Sequence, residues 1–381
     1  KMSQAVAAYD ELLPLLTSTN ASQWKFRQDV SFERALCLSQ MGYVNEAIDG
    51  FETIMRMKQP SSKMEDIADN NSPGREEIYL ANILLEGRGD KLRALDIYQR
   101  CGPKSYLVML AGVCLDSLGR HEEAKTCYQQ ALQLNGGDAD HEAMVHLCIN
   151  LQRCQKVSQK EIDLMEGLMS KVESSPSSHI ATSWKYIYEK TNVWNERSVH
   201  YFTHDMIQLA MDNAQLKNGL ILEFGVYFGK TIRMMASYFQ DDTIHGFDTF
   251  EGLPGDWFNT KQGSYSTDGT IPKTPSNVKF YKGLFSDTLP GFLDDQLSPS
   301  DAPIRLMNVD CDMYASTKDI FDQVHDRVRP GTVIIFDEYV GNPNWKRDEF
   351  KAFQEAVEEF GWSYEYIGIS MVSQQAIVRI I

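Results

Sequence analysis

The chain has 381 residues and a net charge of −16, from 53 acidic and 37 basic side chains. That length suits two domains, each with its own core. The acidity, spread over both halves, excludes a general nucleic-acid or membrane-surface binder. Seven cysteines (Cys37, Cys101, Cys114, Cys127, Cys148, Cys154, Cys311) sit singly, with no CxxC pair. The pattern argues against zinc and for reduced, buried thiols in a reducing compartment, hence the cytoplasm. No apolar run reaches the roughly 18 residues of a membrane helix, so no membrane span is expected. The chain opens at Lys1 as if in mid-domain, with the look of a truncated start. The sequons at Asn20 and Asn70 are of a kind that arises often by chance.

In chain order, three segments of the amino-terminal half align: GYVNEAIDGFETIMRM from Gly42, GDKLRALDIYQRC from Gly89 and GRHEEAKTCYQQALQLN from Gly119. Each has Gly at a turn, a small residue five positions on (Ala47, Ala94, Ala124) and an aromatic four later (Phe51, Tyr98, Tyr128). A small residue where helices approach, then an aromatic to fill the next groove, resembles the second helix of a tetratricopeptide repeat. SFERALCLSQM and SYLVMLAGVCLDSL read as first helices, and the opening QAVAAYDELL as a second helix without its partner. The spacing from Gly42 to Gly89 is 47 residues and from Gly89 to Gly119 is 30, against about 34 for the family. An inserted loop at Gln59–Gly74 explains the long interval. The domain boundaries expected are a helical repeat domain over 1–172, including closing helices in Asp140–Glu173, and a linker with helix over 173–194. The linker reading rests on the Ser/Pro run ESSPSSH. A catalytic domain then fills 195–381. Repeat arrays bind a protein partner or a second copy of their own chain, or serve as a scaffold.

From Leu220 onward, seven apolar runs alternate with helical patterns: LILEFGV, TIHGF, VKFYKGL, IRLMNV, TVIIF, YEYIGI and QAIVRI. The pattern predicts a Rossmann-like α/β fold, a doubly wound sheet with an antiparallel strand at the end. The first run leads into Glu223-Phe-Gly225-Val-Tyr227-Phe-Gly229, where glycines let a ligand approach a helix amino terminus. The spacing is not the G-x-G-x-x-G of dinucleotide enzymes. The second run ends at Asp248, an acid placed to hold a pair of ribose hydroxyls. Together these features favour an adenosyl ligand. Leu253–Ser276, rich in Gly, Pro, Ser and Thr, reads as a lid, and His204 and His245 as structural histidines.

The runs Ile304–Val309 and Thr332–Phe336 each end in carboxylates, Asp310 and Asp312 after the first, Asp337 and Glu338 after the second. One amphipathic helix between them makes the strands parallel neighbours, with acids at adjacent carboxyl ends. Acids gathered there repel one another unless a cation lies between them.

ILEFGVYFGKT, GFDTFEGLP, VKFYKGLFSDTLP and NVDCDMY…PGTVIIFDEY, in that order, resemble the macrocin-type (TylF/MycF) O-methyltransferases over about Asn195–Ile381. The resemblance implies a class I fold of seven strands, S-adenosyl-L-methionine as cofactor, and Mg²⁺ or another divalent cation. It implies methylation of a hydroxyl on a small molecule, sugar or glycan. Carried over to this chain, Glu223, Gly225 and Gly229 line the methionine end of the cofactor and Asp248 the ribose. Tyr227, Thr249 and Asp310 are further cofactor contacts. Gly283 and Phe285 lie against the adenine, and Asp310, Asp337 and Glu338 hold the metal. Glu338 stands where the family usually has an aspartate. Met313 stands where catechol-type relatives carry a catalytic lysine. Asp310 and Asp312 are the catalytic candidates, with Asp312 either a base or a cap for the following helix. Tyr314, Tyr339 and Trp345 are candidate acceptor contacts. Two other readings are a glycosyltransferase using Asp310-Cys-Asp312 as a DxD motif with a nucleotide sugar, and a non-catalytic scaffold with a vestigial enzyme domain.

Overall fold

Two units emerge from the chain contacts of the computed structural model, Lys1–Lys156 and Val157–Ile381. The structure describes residues 2–16, 21–57, 74–134, 141–154, 157–295 and 302–381. Both sequons and most of the expected inserted loop at Gln59–Gly74 lie outside the described residues.

The first unit is helical: α1 (Met2–Leu12), α2 (Ala21–Gln40), α3 (Val44–Arg56), α4 (Arg75–Arg88), α5 (Lys91–Arg100), α6 (Ser105–Ser117), α7 (His121–Leu134) and α8 (His141–Arg153). The pairs α2–α3, α4–α5 and α6–α7 are the three repeats, each turning on Gly42, Gly89 or Gly119 with positive φ. The small and aromatic positions behave as their spacing predicts. Ala47, Ala94 and Ala124 are fully buried, and so are the rings of Phe51, Tyr98 and Tyr128. Close approach is concrete at Gly112 of α6, where an added Cβ would meet the Tyr128 ring at 2.7 Å. The Tyr128 hydroxyl donates to Asp116 at 3.1 Å, and the Asn150 amide of α8 donates to the same carboxylate at 2.9 Å. This buried polar set fixes α8 against the third repeat. The opening α1 buries none of its residues and is held to α2 by the Arg34–Asp10 pair at 2.6 Å.

The second unit adds α9 (Gln159–Glu173), α10 (Ser178–Lys190), α11 (Thr203–Asn213), α12 (Lys230–Tyr238), α13 (Phe285–Asp295), α14 (Tyr314–Val324) and α15 (Glu349–Phe360). The contacts divide the chain at Lys156/Val157, so α9 belongs with the second unit, and the stretch 173–194 carries the helix α10. Ser174 and Ser175 hydroxyls donate to the Ser170 and Val172 carbonyls, closing α9 in a tight turn. After it, α10 docks on the catalytic unit: the Ser183 hydroxyl accepts the Gly341 N–H at 2.9 Å, and the Tyr186 and Tyr366 hydroxyls lie 2.6 Å apart. Ser-rich composition here reflects capping rather than solvation.

All seven expected strands form: β1 (Leu220–Phe224), β2 (Ile244–Asp248), β3 (Val278–Lys282), β4 (Ile304–Val309), β5 (Val333–Phe336), β6 (Tyr364–Ile369) and β7 (Ala376–Ile380). They make one sheet of order β3-β2-β1-β4-β5-β7-β6 in which β7 is antiparallel to both of its neighbours. The expected β4–β5 pair is parallel, with Val309 beside Phe336. Strand order reverses between β1 and β4, and open α/β sheets bind ligands at the carboxyl ends of strands at such a point. One core layer gathers Met206, Ile207, Ile221, Ile232, Leu306 and Ile335.

His245 on β2 is buried among aromatic rings, 3.1 Å from the Tyr281 hydroxyl and with its centroid 4.8 Å from that of Phe292. Burial, then the nearby Lys279 charge, pushes its pKa down to about 4. A base whose folded pKa is depressed gives stability that is complete above its unfolded value of about 6.5 and lost as pH falls through the folded value. Unfolding of the second unit is therefore expected to lose roughly 3 kcal/mol from this group between pH 6.5 and 4. Denaturant melts across that range should show a shallower acid slope for His245→Phe than for wild type.

Candidate active site

The site grows from the strand ends. Gly225, just past β1, has φ +88°, and a Cβ there would lie 1.7 Å from the Asp310 carbonyl oxygen. Only glycine lets the β1 and β4 ends run this close. The ladder continues past the strands: Asp310 N–H donates to Phe224 O at 2.9 Å and Asp337 N–H to Val309 O at 3.1 Å. Gly229 caps α12 in the left-handed region, with φ +78°.

Asp248 organises the turn after β1. Its Oδ2 accepts the Val226 and Tyr227 N–H groups at 2.7 and 2.8 Å, and its Oδ1 accepts the Phe250 N–H at 2.6 Å. A carboxylate has about four acceptor positions, so one is left on Oδ1 for a ligand hydroxyl. Tyr227, Tyr265 and Asp312 hold positive φ values of 50°, 60° and 62° at the same place. Strained backbone of this kind, costing about 1–3 kcal/mol per residue, clusters where ligands bind.

These elements enclose a cavity of about 540 Å³. Of the expected cofactor contacts, Gly225, Tyr227, Asp248, Thr249 and Asp310 line it, and Gly283 and Phe285 line it from the far side. Asp312, Asp337 and Glu338 face the same space. Phe285 rests edge-on against Phe224, with centroids 5.4 Å apart. Leu253, Pro254, Gly255 and Tyr265 of the expected lid form one wall. That segment is ordered by its own backbone, the Leu253 N–H donating to the Ser264 carbonyl at 2.9 Å and the Gly263 N–H to the Leu253 carbonyl at 3.0 Å, and the Trp257 ring N–H donates to Asp348 at 3.1 Å. Neither His204 nor His245 lines the cavity.

Five candidates lie elsewhere. Gly229 is part of the helix cap, not of the wall. Glu223 is 1% exposed, with Oε1 accepting from Asn308 Nδ2 at 3.3 Å and Oε2 without a partner. Its side chain lies in the sheet rather than in the cavity, and burial, with Asp248 and Asp337 adding, raises its pKa well above the usual range. Tyr339 and Trp345 are core residues, each edge-on to Phe350, and the Tyr339 hydroxyl is also 2.9 Å from the Tyr366 hydroxyl. Tyr314 donates to Glu355 at 2.5 Å beneath the Lys351 ammonium.

The acids crowd one another. Burial, then Asp337 and Asp312, raises Asp310 well above a normal carboxylate. Asp312 is pushed up to about 7 by burial, Asp337 and Asp348, and Glu338 to about 8 by burial, Asp337 and Asp312. Gln375 Nε2 donates to Asp337 Oδ1 at 2.7 Å. The α14 helix is preceded by Met313 with no side-chain cap, so Asp312 does not cap it. Among the described residues, no three His, Cys, Asp or Glu side chains converge as ligands of one metal ion.

Sequence reasoning missed Ser316 and Asp319 in the wall, and Glu349 behind it. The acidic pair Asp348-Glu349 shows in the sequence only as an ordinary acidic start to an amphipathic helix.

Residues 222–339 match a family model described as a methyltransferase domain, and residues 106–138 match one described as a tetratricopeptide repeat. The carboxy-terminal half thus carries a methyltransferase domain of class I fold, and the amino-terminal half a tetratricopeptide repeat. Among solved structures, the calicheamicin methyltransferase CalS11 is 20% identical, covering 60% of this chain and 96% of its own, with a TM-score of 0.39. The O-methyltransferase NovP is 18% identical, covering 53% and 96%, with a TM-score of 0.36. The O-methyltransferase TomG from Streptomyces achromogenes, solved in complex with SAM, is 13% identical, covering 59% and 99%, with a TM-score of 0.31. No curated protein sequence matches the chain.

A methyl group at Gly225 cannot coexist with the Asp310 carbonyl oxygen in this backbone. Gly225→Ala is expected to destabilise the second unit by at least about 2 kcal/mol, from left-handed strain and overpacking. Denaturant unfolding followed by tryptophan fluorescence measures it.

Proposed function

We propose that the protein is an S-adenosyl-L-methionine-dependent O-methyltransferase that uses a divalent cation, Mg²⁺ by its chemistry, and acts on a hydroxyl of a small molecule or glycan. One observation carries the reading. The glycine turn after β1, the Asp248 carboxylate and the acids of β4 and β5 share a single cavity.

In this reading the Gly225–Tyr227 turn holds the methionine end of the donor, Asp248 uses its remaining acceptor position on the ribose, and Phe285 covers the adenine. The acceptor lies toward Asp312, Asp337 and Glu338. Its oxygen attacks the methyl carbon in line with the sulfur, the O–C bond forming as the S–C bond breaks. Alignment of the two reactants is the main contribution of the walls. The hydroxyl proton passes to Asp312, whose pKa of about 7 suits a base working near neutrality. S-adenosylhomocysteine and the methyl ether leave.

The cation fits by donor chemistry. Asp310, Asp337 and Glu338 offer hard carboxylate oxygens, and their mutual repulsion is what a divalent ion relieves. Their side chains do not converge on one point in this structure; drawn together, these three would hold the ion, and it would supply Lewis-acid activation of the acceptor hydroxyl. The repeat array is read as the module that binds a protein partner or a second copy of the chain. No helix among the described residues is long and apolar enough to cross a membrane.

Calorimetric titration of S-adenosyl-L-methionine into the full chain is expected to give a micromolar-range complex, and no binding by the wild type would reject the reading. With labelled donor and a mixed acceptor panel, EDTA is expected to abolish methyl transfer while leaving donor affinity within about threefold. Full turnover in chelator would remove the cation from the mechanism.

A further inference from the structure

Glu349, the first residue of α15, is fully buried yet lines no part of the cavity. Its Oε1 accepts the Cys311 N–H at 3.4 Å, and its Oε2 accepts the Glu338 N–H at 3.2 Å. Those two amides belong to different loops. Cys311 sits between Asp310 and Asp312 after β4, and Glu338 follows Asp337 after β5. A single carboxylate from a third element therefore ties the two acid-bearing strand ends to each other.

Packing does not explain an acid in this place. A carboxylate buried beside other carboxylates is costly, and burial, then Asp337 and Asp312, drives its pKa well up. An apolar side chain of the same length would fill the volume without that penalty. Helix capping does not explain it either, since the cap position is Asp348 and both Glu349 oxygens reach outside their own helix. Two acceptors on one rigid group are what the two loop amides require, and no neutral side chain supplies both in one plane.

We infer that Glu349 is a positioning residue for the reaction proposed above, setting the separation of the Asp310–Asp312 and Asp337–Glu338 pairs by holding the Cys311 and Glu338 amides. The inference rests on that reading of the cavity. Asp348 beside it extends the same post to the covering loop through Trp257.

Amide hydrogen exchange in the full-length, cofactor-free protein, resolved by residue, tests the hold directly. In wild type both N–H groups should be protected, although each lies in a loop. Glu349→Gln puts an NH₂ donor against one of the two N–H groups. Exchange at Cys311 or Glu338 should then speed by at least about tenfold, with β4 and β5 still protected. Donor affinity should stay within about threefold, and turnover should fall at least about tenfold in kcat rather than in acceptor KM. Unprotected Cys311 and Glu338 amides in wild type would overturn the inference with no variant needed. Equal exchange in wild type and variant would also overturn it, as would uniformly faster exchange through both strands. Failure of the wild type to bind S-adenosyl-L-methionine would reject the proposed function while leaving the exchange result intact.

Discussion

Repulsion between carboxylates is the constraint on which the rest of the catalytic unit depends. Asp310, Asp312, Asp337 and Glu338 face one cavity, and Asp310, Asp312 and Glu338 are each raised above a normal carboxylate, by burial first and by neighbouring carboxylates after it. Side chains left to themselves would separate. They are kept together by backbone, because neighbouring parallel strands lie about 4.8 Å apart whatever their side chains carry. The bonds from Asp310 to Phe224 and from Asp337 to Val309 prolong that spacing past the last strand residue. The crowding of these acids is thus a consequence of sheet topology.

Local patterns made most of this legible in the sequence. Seven apolar runs gave seven strands, and one helix between IRLMNV and TVIIF gave the parallel pair, because strand and helix periods are short-range signals. The repeat glycines and alanines were legible for the same reason. Side-chain direction at a strand end was not. In a sheet buried on both faces the run of apolar residues carries no alternation to say which face a residue takes. Glu223 in β1 and Tyr339 just past β5 were therefore expected at the cavity and are buried outside its lining, and Trp345, in the turns beyond β5, packs on Phe350. Glu349 lies 38 residues from Cys311 in sequence, and no local pattern marks a contact of that range. Serine hydroxyls that close a helix, as Ser174 and Ser175 do for α9, look the same on paper as serines in a linker.

The two ends of the cavity are built on different principles. Toward β1 and β2 the walls are a glycine turn and a carboxylate held by three backbone amides, rigid and suited to a ligand of fixed shape. Toward β4 and β5 they are charged side chains and the loop from Leu253 to Ser276, which the Trp257–Asp348 bond fastens at one point. A constant donor and a variable acceptor call for this division. Folds of this class change acceptor by changing loops while leaving the donor end alone.

Asp248 shows how tightly the donor end is made. Three of about four acceptor positions on its carboxylate already hold the Val226, Tyr227 and Phe250 amides. The acid is thus a structural part of the turn before it is a ligand contact. Replacing it with alanine would free three buried or half-buried N–H groups at about 1–3 kcal/mol apiece, so lost donor binding in such a variant would report the collapse of the turn together with the lost ribose contact. Asparagine is the sharper probe. It keeps the acceptor that faces one side and sets an NH₂ against backbone donors on the other, so its effect is governed by the turn. The two roles separate on the ligand side, where a 2′-deoxy or 3′-deoxy donor analogue leaves the turn untouched and removes only the hydroxyl that the fourth acceptor position would bind.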